Sequence, residues 1–212
     1  MEPIKLAVVL ENHPVDIIAF TELFRGLGDL DVYVQSLEML VKDEEHWDDY
    51  DVVLYYNLTI PLPEKDSLLQ RYYDEHVGTT DQGIVLLHHG ICCHRGDKLW
   101  KALSGIEDRR FQYHWDQTVR YDIADASHPI TQGMKPFAMI DETYTMEEPA
   151  AEGTQVLITC DHPNSMRAIA WTRQYQNNRV FCYESGHDGF AYGNADFRQV
   201  LKRGILWCAR RL

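Results

Sequence analysis

An aliphatic run in the middle of the chain, Gly83-Ile84-Val85-Leu86-Leu87, stops at His88-His89-Gly90. Four large aliphatic residues without polar alternation are typical of a strand that is buried on both faces of a parallel sheet. In open α/β sheets, ligands bind just beyond the carboxyl ends of the strands. We therefore expect His88 and His89 to lie at the functional edge of a sheet. Because adjacent side chains on a strand point to opposite faces, one of the two should enter the site.

Strand and helix patterns alternate through the first half of the chain. Three more strands are predicted before the aliphatic run, at residues 5–10, 31–37 and 51–57. A helix pattern with an N-cap at Asp16 follows the first of these strands. A second helix pattern, from Glu64 to Gly78, follows the third. Such alternation predicts βαβ units with right-handed crossovers. The expected fold class is α/β: a flavodoxin-like, doubly wound, mostly parallel sheet with helices on both faces.

The second half of the chain has a different pattern. Residues 111–123 are aromatic and β-branched, which is more typical of an antiparallel strand than of a crossover helix. Further strands are predicted at 156–160, 168–171 and 179–184, and residues 137–144 are apolar and then acidic. A hairpin turn is expected at Asn177-Asn178, and an amphipathic helix over 197–211 closes the chain. No repeat, linker or low-complexity segment interrupts these patterns, so we expect one domain over residues 1–212.

The charge balance restricts the partners. The chain has 20 Lys and Arg against 33 Asp and Glu, a net charge of −13. This argues against nucleic acid and anionic membranes, which attract clustered cations, and the acidic surface is interpreted as one that keeps the protein in solution. The N-terminus has no signal-peptide pattern, and no apolar run approaches the roughly 18 residues of a membrane span. We expect a cytoplasmic protein, and the oligomeric state stays open, a homo-oligomer included.

The five cysteines include a neighbouring pair, Cys92 and Cys93. Their number is odd and no CxxC spacing occurs, which indicates free thiols in a reducing compartment. One alternative uses Cys92 or Cys93 as the nucleophile of an amidotransferase or peptidase, with a later His and Glu as base and orienter. The spacing argues against it, because the sharp-turn position directly after the strand is occupied by His88.

Nine of the ten histidines, all except His89, fall into two groups. Those expected at the surface, in polar loops or at helix ends, are His13, His46, His76, His94 and His162. Four others occupy more informative positions. His88 and His187 each follow a predicted strand, His114 lies within an aromatic strand, and His128 precedes a proline turn.

His88 and His187, together with Asp141-Glu142, form a set that suits a divalent metal. Zinc binds imidazole nitrogen and carboxylate oxygen, and a catalytic site keeps one position open for water. Zinc or manganese is the candidate cofactor, and the same residues could instead do metal-free acid–base chemistry. No HExxH motif occurs, so the metal prediction rests on residues that are separated in the chain. No GxGxxG or GxxxxGK[ST] motif occurs either, so no nucleotide cofactor is indicated. The flat rings of Tyr144 and Trp171 would suit sugar rings.

A series of short motifs appears along the chain in a fixed order. They are LLHHG at 86–90, LWKALSG at 99–105, His114, His128-Pro129-Ile130, Asp141-Glu142-x-Tyr144, Ala170-Trp171, Ser185-Gly186-His187 and Gly204-Ile205-Leu206-Trp207. This series resembles the ThuA-like (trehalose utilisation) family over roughly residues 4–211. The resemblance implies a class I glutamine amidotransferase-like fold without the nucleophilic cysteine. It also implies a role in disaccharide uptake and breakdown, in particular of 3-keto sugars.

The resemblance also assigns roles to residues, and it favours His88 over His89. The leading hypothesis is an enzyme, a hydrolase, lyase or isomerase, acting on a sugar derivative. Its catalytic residues would be His88, His114, Glu142 and His187, of which His88, Glu142 and His187 would also bind the metal. Its substrate-binding residues would be His89, His128, Asp141, Tyr144 and Trp171. The alternative is a non-catalytic sugar-binding or regulatory module on the same fold. The chain departs from the family pattern at His88-His89, where His plus a small residue is usual, and at Asn177-Asn178, where a Gly-rich turn is usual.

Overall fold

A nine-stranded sheet runs through the computed structural model, which describes residues 2–212. Its strands are β1 (Ile4–Val9), β2 (Leu30–Gln35), β3 (Val52–Tyr55), β4 (Gly83–Leu87), β5 (Gln112–Ile123), β6 (Phe137–Thr145), β7 (Gln155–Cys160), β8 (Ala168–Tyr175) and β9 (Asn178–Tyr183). The α-helices are α1 (Ile17–Leu27), α2 (Leu37–Lys42), α3 (Leu68–Arg71), α4 (Lys98–Ser104), α5 (Gly189–Gly193) and α6 (Ala195–Cys208). Short 3-10 helices cover Glu44–Asp49 and His88–Cys92, and a π-helical turn covers Tyr72–His76.

The sheet is mixed, with strand order β2-β1-β3-β4-β9-β8-β7-β5-β6. The pairings from β2 to β9 are parallel, and those from β9 to β6 are antiparallel. The α/β class is confirmed, but the expectation of a mostly parallel sheet is wrong. The physical reason lies in the connections: a parallel neighbour needs a crossover of a dozen or more residues, whereas residues 176–177 alone join β8 to β9.

Helices cover both faces of the parallel half. Val85 and Leu87 of β4 share a core with α1 and α6, whereas Ile84 and Leu86 share a second core with α2 and α4. All five residues of β4 are buried, which accounts for the unbroken aliphatic run. Within residues 2–212, none of the helices combines the length and the apolar character needed to cross a membrane.

The positions of the strand ends determine which residues lie together at the carboxyl edge of the parallel strands. β4 and β9 are parallel neighbours with Leu87 opposite Tyr183, so the residues that follow them emerge side by side. The antiparallel hairpin of β5 and β6 approaches from beyond β7. The β8–β9 turn lies one residue earlier than predicted, with Gln176, rather than an asparagine, at a positive φ of 48°. The closing helix starts at Ala195 and ends at Cys208.

Candidate functional site

His88 occupies the sharp turn between β4 and the following 3-10 helix. Its side chain is fully buried, and its backbone has a φ of 50°, in the left-handed region that non-glycine residues rarely adopt. Gly90 allows the turn, since a Cβ at that position would overlap the carbonyl oxygen of Tyr55. Backbone strain of this kind is concentrated at functional sites.

Both ring nitrogens of His88 have partners. Nδ1 lies 2.7 Å from the carbonyl oxygen of Glu184, which can only accept, so Nδ1 carries the proton. Nε2 lies 2.8 Å from the Tyr144 hydroxyl and 3.1 Å from Oε2 of Glu142. Burial lowers the pKa of His88 and favours the neutral ring, although Glu142 opposes this. The Tyr144 hydroxyl therefore donates to Nε2, and the Glu142 carboxylate faces the same lone pair.

Glu142 also approaches His187, the third member of the cluster. Oε2 of Glu142 lies 3.8 Å from Nε2 of His187, and the rings of His88 and His187 are 5.3 Å apart. Each of the three residues offers a ligand atom, and these atoms lie within 4.8 Å of one another. The structure thus brings together the three residues predicted to share a metal.

Asp141 holds the loop that carries His187. Its buried carboxyl accepts hydrogen bonds from the backbone N–H groups of Gly186, at 2.8 Å, and of His187 and Glu142, both at 3.0 Å. Burial raises the pKa of Asp141 to about 7, against these three donors. Gly186 has a φ of 114°, and a Cβ there would lie 2.8 Å from the Phe197 ring. Asp141 acts on the site through the backbone of this loop.

Glu184 is a site residue that the sequence interpretation missed. Its Oε1 accepts the Tyr144 N–H at 2.7 Å, and its buried Oε2 has no hydrogen-bond partner among residues 2–212. Burial raises the pKa of Glu184 well above its ordinary value, which favours the neutral carboxyl. One signal was available: Glu184 is an acidic residue that directly follows the buried strand β9.

His89 points away from the His88 cluster. Its Nε2–H donates to the Tyr56 carbonyl at 3.1 Å, and its ring stacks on His13 at 4.2 Å. His13 was expected at the surface, yet it is partly buried and also meets the edge of His187 at 5.5 Å. The strand-end rule that selected His88 could have found His13 as well, because it follows β1 by four residues.

A cleft of about 220 Å³ opens beside the cluster. Its lining residues are His13, Leu58, Phe111, Tyr113, Trp115, Glu142 and Tyr144. Tyr113 and Trp115 are 56% and 54% exposed, and the Trp115 ring stands edge-on to His187 at 4.7 Å. The cleft therefore joins acid–base groups to exposed aromatic faces.

Three residues predicted for the site lie elsewhere. His114 is on the opposite face of β5 from Tyr113 and Trp115, with Nε2 3.4 Å from the Thr145 hydroxyl. His128 packs 5.4 Å from the Trp207 ring, in the turn between β5 and β6. Trp171 is fully buried in the second core and donates to the Ser104 carbonyl at 2.8 Å.

Cys92 and Cys93 are buried thiols. Burial raises the pKa of Cys92 well above its ordinary value and that of Cys93 to about 12, so neither is a thiolate at neutral pH. Cys93 donates to the Asn57 carbonyl at 2.8 Å. These contacts match the free-thiol interpretation better than the nucleophile alternative.

A larger cavity, of about 610 Å³, lies between α2 and α3. Half of its lining residues are leucine, valine or proline, and the other half are polar, with Glu11, Glu38, Glu64 and His94 among them. In the described part of the chain, the three-residue cluster of potential metal ligands lies at the smaller cleft instead. Because chemistry requires converging polar groups as well as volume, the smaller cleft is the candidate site.

Comparisons with solved structures identify related folds. A ThuA-like protein from Parabacteroides merdae is 19% identical, with a TM-score of 0.75 over 98% of this chain and 90% of its own. A ThuA-like protein from Bacteroides uniformis is 18% identical, with a TM-score of 0.71 over 97% of this chain and 91% of its own. A GMP synthase protein from Thermoplasma acidophilum is 12% identical, with a TM-score of 0.58 over 99% of this chain and 96% of its own. At these identities the likeness shows the fold alone.

Sequence comparison gives the family. No curated protein matches the chain significantly. The family model for ThuA, described as trehalose utilisation, matches residues 6–208 and so covers nearly all of the 212 residues. The resemblance inferred from the ordered motifs is thereby confirmed, and the chain belongs to the ThuA (trehalose utilisation) family.

Proposed function

We propose that this protein is an enzyme of carbohydrate utilisation that binds a sugar derivative in the cleft beside His88, Glu142 and His187, and that these three residues hold a divalent metal. One observation carries the proposal. The proton on Nδ1 of His88 is committed to the Glu184 carbonyl, so a lone pair on Nε2 faces a carboxylate oxygen 3.1 Å away. When two electron-rich atoms lie so near each other, a cation or a proton between them stabilises the arrangement.

Two of the three separations between donor atoms are close to those around a tetrahedral ion, and all three atoms lie within 4.8 Å of one another. Ligand atoms about 2.1 Å from such an ion stand about 3.4 Å from one another. Oε2 of Glu142 lies 3.1 Å from Nε2 of His88 and 3.8 Å from Nε2 of His187. Two histidines and one glutamate are a common catalytic zinc set that leaves one position open. The bond from His88 to the Glu184 carbonyl is the outer contact that usually orients such a ligand.

The residues present would divide the chemistry between them. A bound divalent ion would polarise a substrate carbonyl or acidify a bound water. The Tyr144 hydroxyl, 2.8 Å from Nε2 of His88, is placed to hydrogen-bond a substrate oxygen once His88 turns its lone pair to the metal. The carboxyl of Asp141 keeps His187 in position through the loop backbone.

The cleft favours a single sugar ring. Its volume of about 220 Å³ is below the roughly 300–1,000 Å³ of pockets for drug-sized ligands. The exposed rings of Tyr113 and Trp115 offer the flat apolar surface that packs against sugar C–H groups. Membership of a trehalose-utilisation family supports carbohydrate as the substrate class. One ring of a disaccharide would enter, and the other would lie towards Tyr113 and Trp115.

A second candidate is a metal-free acid–base site made of the same residues. It is favoured by the Tyr144 hydroxyl, which already gives Nε2 of His88 a hydrogen bond. In this case His88 and Glu142 would move a proton to and from the sugar without a metal. Tyr144→Phe separates the candidates. It should leave zinc affinity unchanged or raised if the metal site is real, because it removes a competitor for Nε2.

Metal titration is the direct test. Chelator-stripped wild type should bind one equivalent of Zn²⁺ or Mn²⁺ by calorimetry, and His88→Ala and Glu142→Gln should lose that binding. His46→Ala is the matched control, since His46 is an exposed histidine bonded to Asp43. Turnover of a panel of 3-keto sugars by the loaded enzyme would then identify the reaction. A wild type that binds neither metal stoichiometrically would overturn the metal proposal, and metal binding without turnover would favour a binding module.

A further inference from the structure

The loop between β1 and α1 brings an imidazole into the lining of the cleft. His13 lines it together with Glu142 and Tyr144. His13 is outside the group of candidate metal ligands. A ligand in the cleft would therefore have within reach an imidazole and a carboxylate that come from distant parts of the chain.

The His13 ring is held at two points. Its Nδ1 lies 2.7 Å from the Pro14 carbonyl oxygen, which can only accept, so Nδ1 carries the proton. One face of the ring stacks on His89, with centroids 4.2 Å apart and planes inclined by 29°. Nε2 has no hydrogen-bond partner within residues 2–212, the part of the chain that the structure describes. Together, the hydrogen bond and the stack on a fully buried imidazole restrict the orientation of the His13 ring.

His89 provides the support for this arrangement. It is fully buried, and its Nε2–H donates to the Tyr56 carbonyl at 3.1 Å, which fixes the plane of the ring. The Tyr56 ring lies 4.3 Å away on the same imidazole. The second histidine of the His88-His89 pair thus forms a platform for His13 rather than a second group in the His88 cluster.

We propose that His13 is a ligand-contacting residue, whose Nε2 accepts a hydrogen bond from a hydroxyl of the bound ring, and that His89 is a positioning residue that holds His13 in place. A ligand with two hydroxyls on its ring would then be bound by His13 at one hydroxyl and by Glu142 at the other. This inference rests on the proposed sugar-binding function and adds a specificity determinant to it.

Sugar titration of His13→Phe tests the contact. Phenylalanine keeps an aromatic ring that can stack on His89 but removes both ring nitrogens, Nε2 and the Nδ1 that donates to the Pro14 carbonyl. The probes are D-glucose and trehalose, titrated into zinc-loaded protein and followed by ligand-observed NMR. The dissociation constant of whichever probe the wild type binds should rise about tenfold in His13→Phe, as expected for one lost hydrogen bond. His46→Phe, which removes an exposed histidine outside the cleft, should leave it unchanged.

If His89 positions His13, a substitution of His89 should weaken sugar binding but leave zinc binding intact. His89→Ala should weaken sugar binding about as much as His13→Phe while zinc affinity stays within about twofold of the wild type, because His89 is outside the metal-ligand group. If His89→Ala fails to fold, His89→Phe, which retains an aromatic platform, is compared instead and should bind sugar more tightly than His13→Phe. Equal sugar affinity in wild type and His13→Phe would overturn the inference alone. A wild type that binds neither sugar would overturn the proposed function and the inference with it.

Discussion

Nδ1 of His88 lies 2.7 Å from the backbone carbonyl oxygen of Glu184. This hydrogen bond joins the ends of two neighbouring parallel strands, β4 and β9, and it sets which nitrogen of His88 faces the cleft. The side chain of Glu184 turns to the other neighbour and accepts the Tyr144 N–H at 2.7 Å. Glu184 therefore connects β4, β6 and β9 directly beneath the candidate site.

Glu184→Gln should flatten the pH dependence of stability. Burial raises the pKa of Glu184 in the folded protein well above the ordinary 4.5. As the pH rises above 4.5, the unfolded chain releases this proton while the folded chain retains it. The free energy of unfolding should thus fall with rising pH, by at most about 1.4 kcal/mol per unit, up to the folded pKa. Urea unfolding at pH 5 to 8 should show a smaller decline of this free energy in Glu184→Gln than in the wild type, and parallel profiles would refute a raised pKa of Glu184.

Gly186→Ala should destabilise the protein and weaken metal binding together. The added Cβ would meet the Phe197 ring at 2.8 Å, and φ is 114°. We expect about 2–4 kcal/mol of lost stability, from backbone strain and overpacking combined. Gly133→Ala is the control, because φ is 76° there and a Cβ would meet nothing within 4 Å. Denaturant melts should show a loss of about 1–2 kcal/mol of stability for Gly133→Ala. Its zinc affinity should equal that of the wild type. Equal losses of stability in the two variants would contradict the role of Phe197.

Asp141→Ala should disturb the site without removing any metal ligand. It leaves three backbone N–H groups without their acceptor, and each unpaired buried group costs about 1–3 kcal/mol. Because these donors include the N–H of His187, zinc affinity should fall about 10- to 100-fold, as for other supporting residues of metal sites. Calorimetry against Asp125→Ala, whose carboxylate also accepts a backbone N–H but in an exposed turn, gives the comparison. Wild-type zinc affinity in Asp141→Ala would show that the loop needs no such support.

Thiol alkylation should leave the native protein unmodified. All five cysteines are buried, and burial raises the pKa of both Cys92 and Cys93. The thiolate is the reactive form, so iodoacetamide at pH 7.5 should give no adduct by mass spectrometry, but five adducts after unfolding. Labelling of native Cys92 or Cys93 that a bound sugar prevents would revive the nucleophilic alternative.

Strand-end positions were the most informative part of the sequence. The aliphatic run of β4 predicted a strand covered on both faces, and both faces are covered. Neighbouring parallel strands end at one edge, so polar residues just after such runs converge whatever the intervening chain does. This reasoning selected His88 and His187, and applied to β1 and β9 it would have added His13 and Glu184.

Predictions of site residues that relied on residue type alone, without the register of the strand, were less informative. His114 and Trp171 have side chains suited to chemistry or sugar binding, but His114 faces away from the cleft and Trp171 fills the core. A one-residue shift in register moves a side chain to the opposite face, and the sequence of an antiparallel strand does not specify its partner. The bulge between His114 and Gln117 further changes which residues of β5 face the cleft.

The sequence by itself determined the family, the α/β class, the buried β4 and the turn that places His88 beyond it, because these depend on local composition and on motif order. Tertiary structure decided the rest. It made half of the sheet antiparallel, brought Glu142 across from β6 to within 3.1 Å of His88, and separated His88 from His89. It also placed His13 on the buried ring of His89. Contacts between residues far apart in the chain depend on how strands pair and sheets pack, and no local pattern encodes that pairing.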